Sequence, residues 1–289
     1  MKSNNLKWNL LIILAIVWGS SFILMKLGLK GVNAIQMGSL RIFFASLSVV
    51  IFGFNHWVKI PLYKWKYLAL TACFGTFFPV YLFAFALNEI DSSISAILNS
   101  LTPLNTLVLG SFFFGLSYQR RQLIGVIIGF IGSFILIFFG SKLHPEQNYL
   151  FTILIVIATI CYATNVNLIK KYVSDLHPIT ITVGNFTVLL IPSLIILYFS
   201  NYFNIATEPQ VKTATIYIAV LGIVGTAMAN ILFYKLIQIS SPIFASSVTY
   251  LIPVVATIIG IYFYKESLSF HQFIGAVVVL IGVYFSSRK

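Results

Sequence analysis

The sequence predicts an all-α integral membrane protein with ten transmembrane helices, arranged as two inverted five-helix repeats. Its 289 residues are 59% hydrophobic and only 8% charged, with a mean hydropathy of +0.98. Such a chain has too few polar side chains to cover a surface that faces water. Apolar runs follow one another along its length, and residues 71–134 resemble residues 221–284 at an offset of 150.

The internal repeat is carried by residue types that seldom coincide by chance. The gapless overlay pairs Gly75/Gly225, Thr76/Thr226, Pro103/Pro253, Gly110/Gly260, Gln122/Gln272, Gly125/Gly275 and Gly132/Gly282. The copied unit holds an odd number of spans, so the second copy inserts upside down, as is typical of secondary transporters. Residues 1–140 and 149–289 are therefore predicted to be the two repeats, with residues 141–148 as the connecting loop.

Ten apolar stretches are each close to the roughly 20 residues that a helix needs to cross a bilayer. In chain order, the predicted helices are 7–28, 34–54, 65–88, 93–114, 121–140, 149–170, 178–199, 212–237, 243–264 and 270–286. The first could pass for a signal peptide, but it is long enough to span and no small-residue cleavage site follows it. It is predicted to be retained. The connections are too short to hold an extramembrane domain.

The net charge of +12 indicates membrane topology rather than a nucleic-acid partner. With the N-terminus in the cytoplasm, eleven Lys and Arg residues fall in cytoplasmic loops and termini, and four fall in the opposite loops. Cytoplasmic loops of membrane proteins carry such an excess. The chain is therefore predicted to be a multi-pass protein of the cell (inner or plasma) membrane with both termini cytoplasmic, in contact with the lipid bilayer and with no nucleic acid.

Polar side chains within the predicted fourth and ninth helices are the first candidates for a substrate site. Such groups are costly in hydrocarbon, so each is expected to face protein or a water-filled cavity. Asn99 and Thr102 lie on one helical face, and Asn99 corresponds in the repeat to Thr249, which Tyr250 follows. The alternative is ordinary hydrogen bonding between helices, worth about 0.6 kcal/mol on average.

Four other helices supply further candidates. These are Trp18 and Ser21 in the first helix, Tyr81 in the third, Tyr162 and Asn165 in the sixth, and Asn230 in the eighth. Aromatic rings with a polar edge suit a solute that is partly polar and partly apolar. Aromatic residues make up 16% of the chain, however, so packing and lipid contact are the alternative for the aromatic candidates.

Pro103 and Pro253 occupy equivalent positions in the two repeats. Each proline removes a backbone N–H donor and disrupts its helix, which frees a carbonyl one turn earlier. The pair is predicted to form hinges, with static kinks as the alternative.

The sequence holds no Gly-rich phosphate loop, no Cys/His metal cluster and no serine nucleophile elbow. No metal and no cofactor are therefore expected, and the chain is predicted not to be an enzyme. Cys73 and Cys161 are predicted to be small residues of the apolar core. A membrane-embedded enzyme and a channel remain the alternatives from other functional classes.

Several motifs resemble those of a known transporter family. They are Trp18-Gly19-Ser20-Ser21-Phe22 with Lys26-Leu27-Gly28, Ser39-Leu40-Arg41, and the stretch from Leu251-Ile252-Pro253 through Glu266-Ser267-Leu268 to Gln272-Phe273-Ile274-Gly275. Together they resemble the EamA branch of the drug/metabolite transporter superfamily over essentially the full length of the chain. Two interpretations of Arg41 remain: its side chain snorkels to the membrane interface, or it has a role in this family that the resemblance implies.

The resemblance implies ten helices in two inverted halves and transport of a small metabolite by alternating access. An amino acid or related metabolite is expected, moved by export or exchange. Uptake or exchange of nucleosides, cofactors or cationic drugs is the alternative on the same fold. The expected partners are this small-molecule substrate and the bilayer, and the protein is expected to be a monomer or a weak homodimer.

Overall fold

A computed structural model describes residues 2–90, 92–138, 148–264 and 269–286. These residues are predominantly helical and contain no strand, which confirms the all-α prediction for the described part of the chain. The helices are α1 (Lys2–Gly28), α2 (Ala34–Trp57), α3 (Trp65–Ala72), α4 (Phe78–Glu89), α5 (Ser92–Asn99), α6 (Thr102–Phe113), α7 (Arg120–Phe138), α8 (Thr152–Leu168), α9 (Pro178–Phe199), α10 (Tyr202–Ile205), α11 (Pro209–Gly222), α12 (Ala229–Ile239), α13 (Pro242–Ser246), α14 (Val248–Tyr264) and α15 (Phe270–Ser286).

Six helical segments among the described residues are long and apolar enough to cross a bilayer. They are Asn5–Gly28, Ala34–Trp57, Leu62–Glu89, Thr152–Val173, Pro178–Phe199 and Pro209–Ile239, with mean hydropathies between 1.8 and 2.3. Segments of this length and apolarity are those of an integral membrane protein.

Two of these segments contain a π-helical turn at equivalent positions of the repeat. The first-half π turn (Cys73–Phe77) joins α3 to α4, and the second-half π turn (Ile223–Met228) joins α11 to α12. Their first residues are 150 positions apart, the offset of the sequence repeat. The sequence predicted uninterrupted helices here. A π turn inserts an extra residue into an α-helix and is frequent at functional sites.

The predicted fourth helix is broken into α5 and α6 at Ser100 and Leu101. Pro103 is the second residue of α6, and the hydroxyl of Thr102 donates to the Asn99 carbonyl at 2.7 Å. That carbonyl is the acceptor that the missing N–H of Pro103 leaves free.

The predicted ninth helix differs from the fourth. It begins as the short α13, turns at Ser247 and continues as α14, which contains Pro253 in its interior. One of the two repeat-related prolines therefore begins a helix while the other lies within one. Their role as hinges stays a prediction.

Glycines allow α7 and α15 to pack closely within one chain. A Cβ added at Gly132 would lie 2.5 Å from the backbone nitrogen of Val279, and Gly125 faces Gly282 in the same way. Backbones approach this closely only where side chains are absent, a common device between helices in membranes. The repeat-related glycines therefore hold the two halves together inside the monomer.

Two apolar clusters fill the bundle on either side of its middle. Along α1, one cluster includes Leu10, Leu11, Leu14 and Ala15, together with Phe233 and Phe244. Met25 belongs to the other cluster, with Phe83 and Leu87. The middle of α1 lies between these clusters and faces the cavity described below.

The loops that carry most of the basic residues meet at one end of the bundle. Lys64 pairs with Asp175 at 2.7 Å, and the rings of Tyr67 and Tyr172 stack with centroids 4.4 Å apart. The ammonium of Lys7 lies over the Phe244 ring at 5.1 Å. The N-terminus of α1, the start of α3 and the loops after α8 and α12 therefore share one end.

Candidate functional site

A cavity of about 110 Å³ lies in the middle of the bundle, between the two apolar clusters. Of the described residues, 22 surround it, and they divide equally between the two halves of the chain. Helices α1, α2, α4 and α8, both π turns and the breaks after α5 and α13 contribute to its wall. The wall is thus built from regular helices together with the points at which other helices depart from regular α geometry.

Eight of the ten side chains predicted to bind substrate line this cavity: Trp18, Ser21, Asn99, Thr102, Tyr162, Asn165, Asn230 and Thr249. Most of these polar groups are deeply buried, and Asn230 is 9% exposed. The structure thus brings together residues that are distant in sequence. Whether they contact a substrate stays a prediction.

Tyr81 and Tyr250 lie away from the cavity. The Tyr81 hydroxyl is 2.8 Å from the Ser39 hydroxyl, and its ring covers Gly38. The Tyr250 hydroxyl donates to the Val126 carbonyl at 2.8 Å, and its ring is fully buried. In these positions both tyrosines hold helices together.

The first and sixth predicted helices face the two π turns in equivalent ways. Trp18 and Tyr162 are 144 residues apart, and so are Ser21 and Asn165. A Cβ added at Gly225 would lie 3.0 Å from the Ser21 hydroxyl, and one added at Gly75 would lie 2.5 Å from the Asn165 amide nitrogen. Each glycine therefore admits a polar side chain from the opposite half.

Two aromatic pairs stand at opposite ends of the cavity and are related by the repeat. Trp18 and Phe233 form an edge-to-face pair with centroids 5.1 Å apart, and Phe83 and Tyr162 form a tilted pair at 6.1 Å. Phe83 and Phe233 are 150 residues apart. The Trp18 pair packs on the apolar cluster near the N-terminal end, and the Tyr162 pair packs on the other cluster.

The polar groups at the second-half π turn are hydrogen-bonded. The indole N–H of Trp18 donates to the Gly225 carbonyl at 3.0 Å. The Arg41 Nε donates to the Thr226 hydroxyl at 2.8 Å, and this hydroxyl donates in turn to the Leu221 carbonyl at 3.1 Å. The donors around this π turn therefore have a fixed arrangement.

The equivalent groups at the first-half π turn differ. Within the described part of the chain, neither the Thr76 hydroxyl nor the Asn165 carbonyl oxygen has a hydrogen-bond partner. Both residues are at least 97% buried and both line the cavity. Buried polar groups without partners are rare in proteins and are often found where a ligand or water completes them.

Arg41 is the one charged residue among the described residues that surround the cavity. Lys26 and Lys235, which lie inside the predicted first and eighth helices, are exposed. Sequence reasoning left Arg41 open and did not select Thr76, Phe83 or Phe233. A usable signal existed for these three, because each has an identical partner in the repeat.

Within the described residues, no group of three or more His, Cys, Asp or Glu side chains could hold a metal ion. Cys73 is half-buried, Cys161 is buried, and both are free thiols. The wall of the cavity therefore offers neutral polar groups, aromatic rings and one guanidinium for recognition.

The sequence model of the EamA-like transporter family matches the chain twice, over residues 6–138 and 150–288. An uncharacterized transporter of Archaeoglobus fulgidus is 26% identical over 98% of this chain and 99% of its own length. A probable amino-acid metabolite efflux pump of Salmonella typhimurium is 22% identical over 95% of this chain and 92% of its own length.

A solved crystal structure has a similar fold, with a TM-score of 0.72. The two chains are 14% identical, and the match covers 96% of this chain and 95% of the other. At this identity the likeness concerns the fold alone.

Proposed function

The chain belongs to the EamA-like transporter family, and from that premise we propose that it is a secondary transporter that moves a small metabolite by alternating access. The observation that carries this proposal is the central cavity, to which the two halves contribute equally. In secondary transporters with inverted repeats, the substrate site lies near the bilayer midplane at the interface of the repeats.

The proposal includes ten transmembrane helices in two inverted five-helix repeats. The first five are α1, α2, α3–α4, α5–α6 and α7, and the second five are α8, α9, α11–α12, α13–α14 and α15. Support comes from the family match to each half and from the π turns that begin 150 residues apart. Residues 141–148 fall between the two family matches and serve as the connection, although 141–147 lie outside the described residues.

Alternating access requires that each end of the cavity opens while the other stays closed. The Trp18–Phe233 and Phe83–Tyr162 pairs suit this task, because they are repeat-related and stand at opposite ends. Aromatic pairs of this geometry are worth about 0.5–1.5 kcal/mol beyond their burial. Such an energy is small enough for a thermal conformational change to break one pair and form the other.

The proposed substrate is an amino acid or a related metabolite with an apolar part, moved by export or exchange. Neutral amide and hydroxyl groups beside aromatic rings suit such a solute. The name of the Salmonella typhimurium relative points in the same direction. A cationic drug is disfavoured as substrate because Arg41 would repel it.

Both termini are proposed to lie in the cytoplasm, with the protein a monomer in the cell membrane. Support comes from the meeting of the basic loops at the end that holds the start of α1. The glycines that could have formed a contact between two subunits instead pack between α7 and α15 of one chain. A cysteine at residue 289 that reacted with an impermeant reagent outside intact cells would overturn the orientation.

Flux of radiolabelled amino acids into proteoliposomes tests the function directly, with and without an imposed pH gradient. Phe83→Ala and Phe233→Ala should each slow flux, because each weakens closure at one end. Phe52→Ala is the control, since its ring is 89% exposed and faces away from the protein.

The two variants should also differ in the end that they open. Single cysteines placed at the two ends, in a Cys73→Ala/Cys161→Ala background, should become more reactive at opposite ends in Phe83→Ala and Phe233→Ala. Equal reactivity of both ends in the two variants would contradict the gating role. Absence of flux for every amino acid in the parent would contradict the substrate class.

A further inference from the structure

We propose that Arg41 binds the carboxylate of the transported molecule, and that the transporter therefore selects substrates that carry a single carboxylate. This inference rests on the proposed function and adds the residue that determines the charge of the substrate. It concerns a specificity-determining residue on α2, where a guanidinium borders the central cavity.

The charge of Arg41 has no counterion in the described structure. Lys64 and Asp175 form the one ion pair among the described residues, and they lie at the end of the bundle rather than at the cavity. An Arg guanidinium stays protonated in proteins, and leaving such a charge unpaired inside a membrane protein is costly. A mobile anion that enters the cavity would supply the missing charge.

Arg41 is held in an orientation that leaves its terminal nitrogens available to the cavity. Its Nε donates to Thr226, whose own hydrogen bond to the Leu221 carbonyl directs the hydroxyl lone pairs toward the guanidinium. Nη1 lies 3.8 Å from the Met25 sulfur, which is only a weak acceptor. Nη2 has no hydrogen-bond partner among the residues that the structure describes.

Two terminal nitrogens of one guanidinium form a planar fork that matches a carboxylate in a bidentate pair. Phosphate oxygens fit the same fork. A carboxylate is favoured here because Arg41 supplies one positive charge and no second cation lies among the described residues around the cavity. A dianionic phosphate ester would leave a buried negative charge unpaired.

Snorkelling to the membrane interface suits Lys26 and Lys235 but does not account for Arg41. Lys26 and Lys235 are exposed, whereas Arg41 borders the cavity and is bonded to a residue of the opposite half. Lys26 therefore serves as the matched control for loss of one positive charge.

The test measures binding to the purified full-length protein by L-phenylalanine, L-leucine and the amide of each, with 3-phenylpropanoate and phenethyl phosphate as further probes. The parent should bind at least one amino acid about tenfold more tightly than its amide. Arg41→Gln should remove this preference, Arg41→Lys should keep part of it, and Lys26→Gln should keep all of it.

A second measurement separates recognition from folding. Arg41→Gln removes a buried charge that has no counterion, so the free variant should unfold at the same or a higher temperature than the parent. A purely structural arginine would show the opposite, with a lower unfolding temperature and no change in the preference between acid and amide.

The outcomes separate this inference from the proposed function. If the parent transports phenylalanine or leucine and Arg41→Gln still prefers the acid over the amide, the role of Arg41 is wrong and the transport function stands. If 3-phenylpropanoate binds only when Arg41 is present and no amino acid is transported, the carboxylate site stands and the amino-acid substrate is wrong. Equal binding of acids and amides by the parent, tighter binding of phenethyl phosphate, or no binding of any probe would overturn the inference.

Discussion

At the second-half π turn, the Gly225 carbonyl accepts from Trp18 and the Thr226 hydroxyl accepts from Arg41, whereas at the first-half π turn Gly75 faces the amide of Asn165 and the Thr76 hydroxyl has no hydrogen-bond partner among the described residues. The backbone at these two places is alike, since both are π turns that border the same cavity. The side chains around them are not alike. The second-half π turn is bordered by a cation and fixed donors, and the first-half π turn is bordered by polar oxygens that lack a partner in the described structure.

This difference assigns separate roles to backbone and side chains. Because the backbones of the two repeats are alike, the two repeats can undergo equivalent conformational changes. Alternating access requires such changes. Side chains that differ between the repeats place different chemical groups at the two π turns. An asymmetric molecule can therefore bind in one preferred orientation. Alanine at the two glycines and valine at the two threonines change both π turns in the same way and show how far their responses differ, whereas Lys64→Gln changes a contact at one end of the bundle only.

The largest difference is expected for alanine at the two glycines. A Cβ at Gly75 would lie 2.5 Å from the Asn165 amide and would displace it, whereas a Cβ at Gly225 would lie 3.0 Å from the Ser21 hydroxyl. Gly75→Ala should slow amino-acid flux roughly tenfold, the equivalent of about 1.4 kcal/mol. Gly225→Ala should slow it less, because the hydroxyl can yield by a few tenths of an ångström.

Flux in proteoliposomes, normalised to inserted protein, measures this difference. Gly53→Ala is a suitable control, since it places a methyl group against Val183 away from the cavity. A greater loss in Gly225→Ala than in Gly75→Ala would show that the Asn165 side is not the more sensitive end.

The sequence predicted this pair of turns only in part. The match of Gly75 with Gly225 and of Thr76 with Thr226 marked the positions as equivalent. It could not show that the helix adopts a π turn there, because that conformation depends on the packing of partners from the other half. Nor could identical residues reveal different partners, since Arg41 and Asn165 come from helices outside the aligned stretch.

The second difference concerns stability and is tested by valine at the two threonines. Thr226→Val removes the acceptor of the Arg41 Nε–H and should destabilise the protein by about 1–3 kcal/mol. Thr76→Val replaces a buried hydroxyl that has no partner in the described residues, so it should leave the stability unchanged or raise it.

Thermal unfolding of the two purified variants in the same detergent gives this comparison. Valine and threonine have nearly the same shape, so a change in packing is small in both. A lower unfolding temperature in Thr76→Val than in Thr226→Val would mean that the two hydroxyls have been assigned the wrong environments.

Helical geometry explains why eight of the ten predicted residues line the cavity and two lie away from it. Thr249 lines the cavity, and Tyr250, one residue later, is turned by about 100° around the helix toward α7. Val80 and Tyr81 differ in the same way. The match between a residue and its repeat partner predicts its position along the helix. It does not predict which side of the helix faces the cavity, because that depends on how the helices pack.

The smallest effect is expected at the end of the bundle, where Lys64 joins the first half to the second. Its ammonium bonds to the Asp175 carboxylate at 2.7 Å and to the Tyr172 carbonyl at 2.6 Å. This contact lies at the end that the Trp18–Phe233 pair closes, so its loss should favour opening of that end. Because the Asp175 side chain is 61% exposed, water weakens the ion pair.

Exposed ion pairs contribute about 0.2–1 kcal/mol, so Lys64→Gln should raise the reactivity of a single cysteine at that end by about 1.4- to 5-fold. The opposite end should become correspondingly less reactive, since the two ends cannot open together.

Lys66→Gln is the control, because Lys66 is exposed and its ammonium lies over the Tyr67 ring without joining the halves. High salt should raise the reactivity of the parent toward that of Lys64→Gln and leave the variant nearly unchanged. If both ends respond equally to Lys64→Gln, the contact stabilises the fold without favouring either side of the membrane.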